Sequence, residues 1–306
     1  MNALKAAAHP VALSDAEQSA SPATIRAYRS ALSALETWLA GRPLTDETLA
    51  EYLRHRRDMD RVSSATLEVI RTAVRFNAKL AGVETPDGPE TALALKRARR
   101  TAVGRGRGQV AGIRWEQADA AAAAAVAGTG GGSVADKRDA ALLAVMSDAM
   151  LRVSEVSILD WQDIVRKADG SGRLTVHRPK TDQEGEGATL YLGPATMRRL
   201  DAWQEAVGVG TGPLFQRLDK AGNPRGTLST RSIRTIVTRR AADAGIEGRV
   251  SGHSLRIGSA QSLVRAGASM AELKQAGRWE SDQMPSRYTR AERAKPDAVA
   301  RFRYGD

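Results

Sequence analysis

Apolar residues return every three or four positions along most of the chain, and the breaks between these runs fall on capping residues, glycine and proline. The first run opens at Ser21-Pro22, a cap with proline at the first helical position, and carries Ile25, Tyr28, Leu32, Leu35 and Leu39 on one face before ending near Gly41. Thr45 or Asp46 caps a second helix through Leu49, Tyr52 and Leu53. Ser63-Ser64 opens a third, with Leu67, Ile70, Val74 and Leu80 on one face and Gly82 at its end. Asp87-Gly88-Pro89 opens a fourth, whose Leu93 and Leu95 run into the basic cluster Lys96-Arg97-Ala98-Arg99-Arg100. The pattern predicts an all-helical bundle over residues 21–102, preceded by an aperiodic arm over 1–20.

The periodicity then stops. Residues 103–113 include VGRGRGQVAG, a Gly-rich basic stretch that serves as an interdomain linker along a phosphate backbone or as a solvated tether. A second domain, 114–306, begins at Trp115 with a helix through Ala120–Ala125, and a long helix over Asp136–Met150 carries Leu142, Leu143 and Met146. RLTVHR at 173–178 and ATLYL at 188–192 alternate as the strands of a β-hairpin. Further helices follow at Pro194–Ala206, after the loop GPLFQRLDKAGNPRG in LSTRSIRTIVTRR, and at Ala260–Val264 and Met270–Ala276, the last with Gly277 as its stop. The chain is therefore mainly α: an N-terminal helical bundle plus an α-rich domain with a small β-hairpin or sheet.

Composition narrows the partners. The 306 residues are 42% hydrophobic but only 4% aromatic, so the cores are aliphatic, and 46 Lys and Arg against 35 Asp and Glu give a net charge of +11. That surplus favours a polyanion, with nucleic acid the default. With no cysteine, no metal-ligand spacing among the four histidines, no membrane-length apolar run and no signal-peptide pattern, the chain is expected to be cytoplasmic and DNA-associated, with no metal or cofactor and no membrane partner.

The chemistry concentrates in SGHSLRIGSAQSLVRAGASMAELKQAGRWESDQMPSRY, residues 251–288. His253 and Arg256 are three apart and face the same way on a helical turn, and Tyr288 stands nine residues after Trp279, between Arg287 and Arg290. A His, an Arg, an indole N–H and a phenol can hold a phosphodiester while the phenol attacks it. Upstream, LRVSEVSILDWQDI sets Arg152 and Glu155 three apart among Val153, Val156, Ile158 and Leu159. An Arg in apolar surroundings needs an acidic partner or an anionic ligand; a pair that staples two helices meets that need too. Lys180, at the tip of the hairpin, has the placement of an ordinary solvated turn lysine.

Taken together, SGHSLR, VRAG, QAGRW and Tyr288 resemble the tyrosine recombinase (phage integrase) family, and within it the Cre-type branch. The resemblance spans nearly the whole chain, strong over 149–164 and 226–288 and loose in the first hundred residues. It implies a helical core-binding domain, a linker and a catalytic domain. It assigns Arg152 and Arg256 to the scissile phosphate, Glu155 to orienting the arginine, and His253 and Trp279 as further donors. Lys180 becomes the acid for the leaving 5′ oxygen, because Lys180-Thr181 matches the branch's Lys-Thr, and Tyr288 becomes the nucleophile. LSTR matches as well. Ser229, Thr230, Arg231 and Arg234 then lie on a major-groove helix, Arg231 reading a base, while Arg26, Lys96, Arg99, Arg100, Arg105 and Arg107 supply phosphate contacts.

The implied activity is site-specific recombination between paired inverted-repeat sites in double-stranded DNA, through a 3′-phosphotyrosine and a Holliday junction. A homotetramer would assemble on the DNA by exchange of C-terminal tails. Type IB topoisomerase-like relaxation and non-catalytic DNA binding are the competing classes. Two departures stand out: Trp279 where most integrases have His, and Arg278 where the Cre-type branch has Gly.

Overall fold

The computed structural model describes residues 20–101, 109–128, 130–177 and 187–293. Lys180, Arg105 and Arg107, the arm before residue 20 and the tail beyond residue 293 lie outside the described residues. The chain forms two compact units, divided between Gly108 and Gln109.

The first unit packs four helices: α1 (Pro22–Leu39), α2 (Asp46–Asp58), α3 (Ser64–Ala81) and α4 (Pro89–Thr101). Ser21, Thr45 and Ser63 cap the first three, each side chain accepting the N–H three residues on. The start of α4 is capped from elsewhere. The Asp46 carboxylate accepts the N–H groups of Gly88, Glu90 and Thr91 at 2.8–2.9 Å. Burial acts upward on that carboxyl, but the Thr91 hydroxyl and the three N–H groups hold it at about 2. Leu35, Leu39, Leu49, Leu53, Leu67 and Leu95 fill the core. Leu93 does not join them: it is 57% exposed, because Thr91, Ala94, Leu95 and Ala98 form the buried stripe of α4. Arg26, Lys96 and Arg100 are exposed, and Arg99 pairs with Glu68.

In the second unit, α5 (Trp115–Ala125) and α8 (Pro194–Val207) pack on α6 (Val134–Asp148), which is buried along most of its length. The short helix α7 (Val153–Val156) follows α6. Three antiparallel strands form one sheet, β1 (Ile164–Arg166), β2 (Gly172–Val176) and β3 (Ala188–Leu192), with Ile164 opposite Leu174 and Gly172 opposite Leu192. The expected hairpin thus supplies two strands of a sheet whose first strand, three residues long, is too short to show alternation. The stretch expected as a loop after α8 holds a second small sheet, β4 (Gln216–Leu218) with β5 (Pro224–Thr227). Then come α9 (Thr230–Asp243), α10 (Ser254–Arg265), α11 (Met270–Gly277) and α12 (Gln283–Arg293). No helix among the described residues is long and apolar enough to cross a membrane.

Two further departures come from long-range packing. Arg239 and Arg240, at the end of the basic run LSTRSIRTIVTRR, bind the fully buried Asp139 of α6, and Arg240 also reaches Asp136. They fasten α9 to α6. Ile158, expected to be buried, is 64% exposed because it falls beyond the single turn of α7. At the linker's end, Ala111 N–H bonds Arg249 O at 2.9 Å and Ile113 N–H bonds Ser254 O at 2.8 Å. This holds residues 111–113 against the start of α10. Gly258 permits the approach, since a Cβ there would stand 1.8 Å from the Ile113 carbonyl oxygen.

Candidate active site

The site is built on three helix ends. Arg152 is the N-cap of α7 and Glu155 its third residue. The Glu155 carboxylate accepts the Arg152 backbone N–H at 2.8 Å and its guanidinium Nη1 at 2.7 Å, one acid fixing both ends of one arginine. His253 is the N-cap of α10, and Arg256 lies three residues on. Arg256 is only 2% exposed: its guanidinium donates to the carbonyls of Met150 and Gly277 and lies face-on to Trp279, 4.5 Å from the ring centroid. Trp279 in turn meets the Tyr288 ring of α12 at 5.9 Å between centroids, tilted by 59°. Gln109 and Gln261 hold the Tyr288 backbone carbonyl at 3.5 and 3.3 Å.

The structure therefore brings together Arg152, Glu155, Arg256, Trp279 and Tyr288, with His253 on the turn that carries Arg256. Gly277 has a different reason from the one its sequence position suggested. The left-handed stop of α11 is Arg278 (φ 52°), and Gly277 is where a Cβ would stand 2.0 Å from the Trp279 ring. The residue that sequence reasoning left without a role is Arg278. Its guanidinium, 10% exposed, donates to Glu155 at 2.8 Å and to the Ala149 carbonyl at 3.0 Å. The signal lay in the departure itself, a charged residue where the family branch has glycine.

Three guanidiniums around one carboxylate leave the cluster short of negative charge. Burial, then Arg152 and Arg278, pull Arg256 down to about 9, so it stays cationic at neutral pH but gains from any anion that arrives. Burial acts to raise the Glu155 carboxyl, yet the Arg152 N–H and the charges of Arg278 and Arg152 hold it below the ordinary carboxylate range. His253 is exposed to solvent yet partly desolvated by the protein around it. This desolvation, followed by the charges of Arg256, Arg152 and Arg234, lowers its pKa and leaves the imidazole neutral at pH 7.

Beside this cluster, Ser229 caps α9, its Oγ accepting the Ser232 N–H at 3.1 Å. Thr230 opens the helix, while Arg231 and Arg234 are exposed.

Residues 115–295 match the model of the phage integrase family, and residues 15–77 match its N-terminal SAM-like domain. The chain belongs to the phage integrase family. It is 33% identical over 184 residues to the recombinase Cre of Escherichia phage P1, covering 55% of this chain and 53% of that protein. With an integrase/recombinase XerD homolog of Selenomonas ruminantium the identity is 28% over 159 residues, 49% of this chain and 46% of the relative. The chain spans about half the length of the curated relatives it matches. Among solved structures, XerH recombinase bound to palindromic difH in a post-cleavage complex superposes with TM-score 0.67 at 16% identity, over 90% of this chain and 79% of that one. Lambda integrase (residues 75–356) bound to DNA gives 0.64 at 18%, over 98% and 99%. These structures share the fold.

Proposed function

We propose that this chain is a tyrosine site-specific recombinase that cleaves and rejoins double-stranded DNA through a 3′-phosphotyrosine. The observation that carries the reading is one cluster in which Arg152 pairs with Glu155, Arg256 lies over the Trp279 ring and Trp279 meets the ring of Tyr288. A phosphodiester under attack passes through a pentacoordinate phosphorus with extra charge on its nonbridging oxygens, and fixed donors aimed there stabilise it without a metal. Arg152 and Arg256 are planar forks suited to those oxygens. Tyr288 supplies the nucleophile and His253, neutral at pH 7, accepts its proton; Lys180 protonates the 5′ oxygen as it leaves. The phosphotyrosine conserves the bond energy, so rejoining through a Holliday junction needs no cofactor.

Relaxation without sequence preference is the second reading, since a topoisomerase of type IB uses similar groups. The test sets the purified protein on two substrates, a supercoiled plasmid and a duplex carrying an inverted repeat around an asymmetric spacer. Cleavage confined to the repeat supports recombination. Relaxation of a plasmid without any such site would reverse the order.

The exposed Arg231 on the first turn of a capped helix suits a guanine edge in the major groove, with helix N–H groups and Ser229 or Thr230 on phosphate. Arg26, Lys96, Arg99, Arg100, Arg105, Arg107 and Arg234 are proposed as backbone contacts. Arg231→Ala is expected to relax preference at one base pair by about 1–3 kcal/mol, and Arg105→Ala to weaken all sequences alike. Equal losses on matched and mismatched sites would return Arg231 to the phosphate class.

The same reading includes a homotetramer on two paired sites. The residues Ala298, Val299 and Phe302 follow Pro296 as an apolar stripe at three- and four-residue spacing, and docking of that stripe on a neighbouring copy would close a ring. Truncation after Lys295 is expected to abolish multimeric complexes and recombination while single-protomer binding persists. Normal synapsis by the truncated protein would end the idea.

A further inference from the structure

We infer that Arg278 is a positioning residue for cleavage: it holds Glu155 and the Ala149–Leu151 turn so that the Arg152 guanidinium is presented to the phosphate. The inference rests on the proposed recombinase chemistry but stands on its own geometry. Arg278 is the left-handed C-cap of α11 at φ 52°, a conformation that costs a side chain strain and glycine nothing. The chain nevertheless places there the longest cationic side chain it has and desolvates it, with Nε–H buried and without an acceptor among the described residues. A buried ion pair with a leftover donor is a poor way to gain stability, so its effect lies in what it orients.

What it orients is the entry to α7. Nη2 takes Glu155 Oε2 at 2.8 Å, the same oxygen that receives the Arg152 N–H, which leaves Oε1 for the Arg152 side chain at 2.7 Å. Nη1 takes the Ala149 carbonyl at 3.0 Å, one residue before Met150, itself left-handed at φ 47°. Arg256 donates to that same Met150. Arg278 and Arg256 thus clamp one strained turn from α11 and α10, and Arg152 follows it directly. The titratable and charged groups around Glu155 are Arg152 at the start of α7, Arg278 of the α11 cap, Arg256 and the neutral His253 at the start of α10, and Arg234 of α9, whose charge acts on His253. Of these only Arg152 and Arg278 hydrogen-bond it among the described residues. Removing Arg278 leaves Glu155 two oxygens and one partner, so that Arg152 is drawn back onto its own acid.

Arg278→Gly is the informative variant, because glycine keeps the left-handed cap without strain and loses only the side chain. On a nicked duplex substrate it is expected to bind within about twofold of the parent and to form the covalent adduct roughly tenfold more slowly, the size of a broken short-range coupling. Arg278→Lys, which restores charge but not the fork, should recover part of the rate. In a Glu155→Gln background the further change Arg278→Gly should add little, whereas a residue that merely stabilised the fold would lower both backgrounds equally. A DNA-free readout separates this from the recombinase assignment. The carbon-13 titration of the Glu155 carboxyl should move to higher pH in Arg278→Gly, since a cation holding it down has gone. An unmoved titration, a parental adduct rate, or additive losses in the double variant would each overturn the inference. A protein whose Glu155 shifts as expected but which never forms an adduct would overturn the recombinase reading instead.

Discussion

Tyr288→Phe is expected to bind its DNA site with parental affinity and to give no denaturation-resistant protein–DNA adduct on a nicked suicide substrate. The change is small by construction. The Tyr288 ring keeps its tilted contact with Trp279, and the hydrogen bonds from Gln109 and Gln261 reach the backbone carbonyl, not the phenol. Among the described residues no hydrogen bond holds the phenol oxygen, so its loss leaves no stranded partner. The effect on chemistry is complete because covalent catalysis has no second route: a phenyl ring has no oxygen to join to phosphorus. The phenol must lose its proton to attack, and in the proposed mechanism the neutral imidazole of His253 takes it. Cleavage by the parent should therefore fall as pH drops through the lowered pKa of His253, where the imidazole becomes protonated and can no longer accept. An adduct from Tyr288→Phe would move the assignment to Tyr304.

The helices were legible because their signals are local. Ser21, Thr45 and Ser63 announce helix starts by accepting N–H groups three residues away, and Leu35 with Leu39 in α1, like Leu49 with Leu53 in α2, repeat at helical spacing on the buried face of their helix. Strands β1, β4 and β5 were not, since runs of three or four residues hold no alternation to read. Ile158 looked internal beside Val153 and Val156, and its exposure follows only from where α7 ends. Hydrophobic pattern carries short-range geometry well and chain reversals poorly.

The site divides along the same line. Arg152 with Glu155, and His253 with Arg256, each sit within one turn, so their pairing could be read from spacing. What spacing could not carry was the charge that links distant stretches. Arg278 meets Glu155 from 123 positions away, and Arg240 meets Asp139 from 101. Arg240 resembled a solvated arginine on a basic helix, yet it is 9% exposed and fastens α9, the helix proposed to read DNA, to the middle of α6. In a chain with this many arginines, residue type alone does not separate those that meet DNA from those that hold the protein together.

The two arginines proposed to meet the phosphate are expected to separate in their effects on folding. Arg152→Ala and Arg256→Ala should each lower single-turnover cleavage by about a hundredfold or more, as the loss of a preorganised donor to a developing oxyanion does. Site affinity should change little, because many other cations hold the backbone. Arg152 has a side chain 36% exposed and one acidic partner, so its removal leaves a folded protein with Glu155 still paired to Arg278. Arg256 is buried against Trp279 and donates to the carbonyls of Met150 and Gly277, so alanine there strands the Gly277 acceptor, at about 1–3 kcal/mol, and leaves Met150 only the 3.5 Å contact from Arg278. Thermal unfolding should register Arg256→Ala and barely register Arg152→Ala. Arg256→Lys isolates the chemical part: it keeps a cation and a donor in the pocket but loses the fork, and it should still cleave far more slowly than the parent. If Arg152→Ala lost affinity in step with cleavage, or if Arg256→Lys cleaved like the parent, these arginines would be docking and packing groups, and the charge on the phosphorus oxygens would have to be met by other donors.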